Sequence, residues 1–115
     1  MQLKTTSLKL PKNLHYSLLQ KVVEDGYGMR GKSRWILEAI EVFFNLSDYP
    51  TLVDLADSMD TLNDTLSIRL PIQTLQKIDE AVIFIRKDFP LMEGVKSKII
   101  RASIMQRLLG RTVND

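Results

Sequence analysis

A mostly helical α+β fold, made of two strand–helix–helix units in one chain, is predicted by three features of the 115-residue sequence. The first is an internal repeat. Thr5-Thr6-Ser7-Leu8-Lys9-Leu10-Pro11 returns sixty residues later as Thr65-Leu66-Ser67-Ile68-Arg69-Leu70-Pro71. The second is the alternation of polar and apolar residues within each copy, the period of a half-buried strand. The third is a change of period after each proline, from two to about 3.6, which announces helices.

Taken in order, the first strand sets Thr5, Ser7 and Lys9 on one face and Thr6, Leu8 and Leu10 on the other. Pro11 cannot donate to a ladder but suits a helix start, so it ends the strand and opens the next element. Leu14, Leu18 and Val22 then recur at fours, with Leu19 and Val23 widening the stripe, until Gly26 and Gly28 stop it. A second helix is expected to open at Lys32-Ser33 and to carry Ile36, Ile40 and Phe43 or Phe44 to about residue 45. The connector, 45–64, is expected to add a short helix between Pro50 and Met59, with Leu52, Leu55, Ala56 and Met59 as its apolar side.

The second unit repeats the plan. Thr65, Ser67 and Arg69 oppose Leu66, Ile68 and Leu70 on the strand; Leu75, Ile78, Val82 and Ile85 stripe the first helix; Pro90 and Gly94 mark the loop. Lys96-Ser97 opens the last helix, striped by Ile100, Ile104 and Leu108 and ending near residue 109. A lone six-residue strand is unstable, because its backbone groups need a partner and its apolar face a lid. Antiparallel pairing of the two strands, laid on the helices, meets both needs. The expected organisation is one domain over 1–115, with units at 4–44 and 65–110.

Net charge is +2, yet it is unevenly placed. Residues 1–44 sum to +3, 45–64 hold five aspartates and no Lys or Arg for −5, and 65–115 sum to +4. Basic lobes flanking an acidic middle suit a polyanionic partner. The absence of cysteine excludes disulfides, thiolate metal sites and cysteine nucleophiles, and the single histidine, His15, excludes a multi-histidine metal site. No apolar run reaches the ~18–20 residues of a spanning helix and the N-terminus lacks a signal-peptide core, so a cytoplasmic protein is expected. No paired carboxylates stand in a catalytic setting, and the sequence reads as a non-enzyme without cofactor.

The strand–Pro–helix–loop–helix pattern, present twice, resembles the ribbon-helix-helix superfamily of MetJ and Arc, whose β-ribbons read DNA. In its fused, two-motif form it is similar to the conjugation protein TraY. The resemblance covers about 90 of the 115 residues and leaves the acidic connector outside. It implies an intramolecular pseudo-dimer in which Thr5, Ser7, Lys9, Thr65, Ser67 and Arg69 read bases from a two-stranded ribbon. It also implies phosphate contacts at the start of each second helix, at Lys32, Ser33, Lys96 and Ser97, where free N–H groups and the helix dipole meet an anion. The partners it implies are double-stranded DNA and either further copies of itself or a DNA-processing protein; no membrane partner is expected, and linkage of the two strands in one chain predicts a monomer when DNA is absent. The role would be a transcriptional regulator or an accessory factor of plasmid or phage DNA; an antitoxin-like interaction module is the alternative.

Gly26-Tyr-Gly-Met-Arg-Gly31-Lys32-Ser33 also satisfies the P-loop string G-x-x-x-x-G-K-S. Its context argues against nucleotide binding. A P-loop follows a buried strand, whereas Leu14 to Val23 has helical spacing, and Pro90 to Ser97 keeps the Lys-Ser without the string. His15 reads as a surface side chain, Trp35 as packing, and Tyr27 as a loop residue that touches phosphate or nothing.

Overall fold

Pro11 and Pro71 are the two points at which strand becomes helix in the computed structural model, which describes residues 2–28, 30–56 and 61–110. Both take extended angles, φ −63° and ψ 147° at Pro11, φ −58° and ψ 144° at Pro71, and both stand at the cap position of the helix they precede. Each ring is preset near φ −65°, so the turn costs little backbone entropy. The order is β1 (Leu3–Leu10), α1 (Lys12–Glu24), α2 (Lys32–Phe44), α3 (Tyr49–Ala56), β2 (Asp64–Pro71), α4 (Ile72–Asp88) and α5 (Val95–Leu108).

The two strands pair antiparallel and form a two-stranded sheet, as the pattern predicts. Ser7 lies opposite Ser67, its own counterpart in the repeat, with Thr5 opposite Arg69 and Lys9 opposite Thr65. Both strands run longer than the alternation indicates. The Ile72 N–H donates to the Gln2 carbonyl at 3.2 Å and holds the outer end closed. Leu8, Leu10, Leu66, Ile68 and Leu70 are fully buried beneath the ribbon. Each contributes about 1.5–3 kcal/mol over leaving it in water.

α2 packs against α5 at the centre. Trp35, Ile36, Ile40 and Phe43 meet Ile99, Ile100 and Ile104 in one continuous core. Leu14, Leu18 and Val22 of α1 and Leu75, Ile78 and Ile85 of α4 complete it from the flanks. Leu19 and Val23, expected to widen the α1 stripe, are exposed. A narrow stripe suffices, because α1 covers the core from one side only.

The helix starts differ slightly from expectation. α2 opens at Lys32 after Gly31, and α5 opens at Val95 after Gly94, so the serines lie inside the first turn rather than at the cap. The connector does form a helix, but α3 buries Val53 fully and exposes Leu55. Its leading residue, Tyr49, packs at tilted and edge-on angles against Phe43, Phe44 and Phe84 with ring centroids 5.4–6.2 Å apart, which swings the helix onto a different face. Burial pushes the Tyr49 hydroxyl pKa up. Met59, expected on the same apolar side, lies outside the described residues. The connector's end is tied to α1: Asn63 Oδ1 accepts from the Lys12 N–H at 3.0 Å, and His15 Nδ1 meets Asp64 Oδ2 at 3.0 Å. His15 is thus half-buried and partnered, not a free surface side chain.

Candidate nucleic-acid interface

Strand alternation puts one face of the ribbon into the core and the other into solvent. Thr5, Ser7, Lys9, Thr65, Ser67 and Arg69 are all exposed on that outer face. The set holds two cations and four hydroxyls, with no carboxylate. Register places the cations at opposite ends and on opposite strands, Arg69 beside Thr5 and Lys9 beside Thr65. Four residues at ~3.3 Å each separate them by about 13 Å along the ribbon.

A two-stranded ribbon has two outer edges, and its unpaired backbone groups need partners. At the two cationic positions the partners come from the second helices of the opposite units. The Arg69 N–H donates to Ser33 Oγ of α2 at 3.0 Å. The Lys9 carbonyl accepts from Arg101 Nη1 of α5 at 2.9 Å. Arg101 is only 6% exposed, a buried cation whose charge-assisted bond holds the β1 edge. Sequence reasoning passed over Arg101. The signal was a charged residue on the inward side of the α5 stripe, next to Ile100 and Ile104.

The expected phosphate contacts stand in the first turns of α2 and α5. Lys32, Ser33 and Ser97 are half-buried and Lys96 is exposed. The residues at the N-cap positions are Gly31 and Gly94, which carry no side chain, so neither serine stands at the cap. The first N–H groups of a helix have no partner within it and need another acceptor.

The loop before α2 is fixed by a network that spans both units. Tyr27 donates its hydroxyl to Glu38, and Arg107 of α5 donates to the same hydroxyl at 3.0 Å. Arg107 also donates to the Trp35 carbonyl at 2.7 Å and lies 4.4 Å over the Trp35 ring. Arg34 covers the Tyr27 ring at 4.6 Å. Trp35 Nε1 donates to Asp25 at 2.8 Å, which holds the Asp25 carboxyl below the usual carboxylate range, with Lys21 adding to the effect. Tyr27 is therefore a structural anchor. The segment bearing the P-loop string follows α1, a helix, and its Met29 lies outside the described residues.

Among the described residues no group of three or more His, Asp or Glu side chains is placed to hold a metal ion. No helix among them is long and apolar enough to cross a membrane. Compared with protein-family models, with curated proteins and with solved structures, the chain finds no match.

Proposed function

We propose that the protein binds double-stranded DNA in a sequence-specific way, with the two strand–helix–helix units acting as the halves of an intramolecular pseudo-dimer of ribbon-helix-helix type. The observation that carries this reading is the outer face of the ribbon: six exposed side chains, two cationic and four hydroxyl-bearing, on a scaffold of the width that enters a major groove. Arg69 and Lys9 donate to O6 and N7 of guanine, and the serines and threonines serve donors or acceptors beside them. Lys32, Ser33, Lys96 and Ser97 anchor phosphates on either side, together with the N–H groups of the first helical turns. The role this fits is regulation of transcription, or an accessory part in processing mobile DNA.

Selection of bound duplexes from a random pool tests the reading. One enriched motif should emerge, and it should be an imperfect palindrome, because lysine is a flexible point donor where arginine offers a planar fork. Arg69→Ala should lose roughly ten- to hundredfold discrimination at one base pair, corresponding to ~1–3 kcal/mol per bidentate contact. Lys9→Ala should lose less, at a different position. Equal affinity for selected and scrambled duplexes would overturn sequence-specific binding.

A further inference from the structure

The two cationic readers sit on backbones that are held in chemically different ways. At Lys9 the strand edge is gripped by Arg101, a guanidinium on a residue only 6% exposed. At Arg69 it is gripped by Ser33, a half-buried hydroxyl in the first turn of α2. Among the described residues, Ser97 makes no equivalent bond to Lys9.

A serine hydroxyl has one proton and two lone pairs. Ser33 spends a lone pair on the Arg69 N–H, and among the described residues no acceptor takes its proton, which is available to an outside one. Donation of that proton polarises the oxygen and strengthens its grip on the N–H, as in any chain of hydrogen bonds. We propose that Ser33 is a positioning residue that couples phosphate contact at the α2 start to base reading by Arg69, while reading by Lys9 is set by Arg101 and is independent of phosphate contact. This rests on the DNA-binding reading above, and it adds an asymmetry of mechanism to the asymmetry of residue type.

Ser33→Ala and Ser33→Thr in the full chain provide the test, read in two ways. In the free protein, amide hydrogen exchange at Arg69 should quicken several-fold in Ser33→Ala and stay slow in Ser33→Thr. With DNA, Ser33→Ala should lower discrimination at the base pair read by Arg69 by about three- to tenfold, the worth of one hydrogen bond. Discrimination at the Lys9 base pair should not change, and Ser33→Thr should restore the Arg69 preference. Unchanged Arg69 exchange in Ser33→Ala overturns the proposal, as does an equal loss of affinity for every duplex, which would make Ser33 a phosphate contact and nothing more. If the parent protein itself shows no preference among duplexes, the DNA-binding reading fails first and takes the coupling with it.

Discussion

Tyr27 shows how much one side chain can tie together. Its hydroxyl joins Glu38 of α2 to Arg107 of α5, and its ring carries the Arg34 guanidinium. Tyr27→Phe keeps the ring and removes both hydrogen bonds, so it should lower stability by about 1–2 kcal/mol, read as a shift in the denaturant midpoint at unchanged slope. Asp25 makes a second prediction. Its folded pKa is depressed by the Trp35 bond, so the stability it contributes is present above the ordinary value near ~3.9 and is lost as pH falls through the lower folded value. Asp25→Asn, which leaves Trp35 an acceptor, should flatten the stability profile below about pH 4 and leave its neutral portion parallel to the parent. These partnerships could not be read in the sequence. Arg107 and Trp35 are 72 positions apart, and nothing local to either announces the other. The outward strand positions were legible because a strand's faces follow from counting by twos.

At the scale of elements, the glycines before the second helices are not equivalent. Gly94 takes φ +61° with open space around it, so Gly94→Ala should cost only left-handed strain, about 1–2 kcal/mol. Gly31 has an ordinary φ of −93°, but an added Cβ would drive into the Tyr27 carbonyl and Cβ. Gly31→Ala should therefore destabilise more than Gly94→Ala in thermal melts. On the proposed DNA-binding reading, the helix starts should also set the salt dependence of binding. Lys32→Ala and Lys96→Ala should each flatten the log–log dependence of affinity on salt by ~0.9 and weaken all sequences alike; unchanged slopes would remove both from the phosphate contacts. Repeat, proline and period sufficed to foretell the strands, their pairing and four helices to within a few residues. α3 escaped in part: Leu52 packs against the core as expected, but Tyr49 docks among Phe43, Phe44 and Phe84, and Leu55 is left exposed.

Across the whole molecule the ribbon is completed within a single chain, β1 pairing with β2 of the same polypeptide. Linkage through the connector gives the strands a high effective concentration for each other, so pairing within the chain should outcompete pairing between chains. Sedimentation at micromolar concentration without DNA should show one species of 13.2 kDa. A stable dimer with exchanged strands would contradict this. The connector is anchored at both ends, by Tyr49 among the phenylalanines and by Asn63 and Asp64 on α1, which lowers the freedom an exchange would need.

The register in which Ser7 meets Ser67 has a consequence for how such a molecule changes over generations. A ribbon made from two identical chains writes every reader twice, so any substitution alters both halves of its target in one step. Here Thr5, Lys9 and Arg69 are each encoded once, and Lys9 and Arg69, counterparts in the repeat, already differ. On the proposed DNA-binding reading, a mutation in one strand edits half of the text while the other half keeps the protein at its place. Specificity can then move by half-steps, each small enough to be tolerated, along a path closed to a symmetric pair.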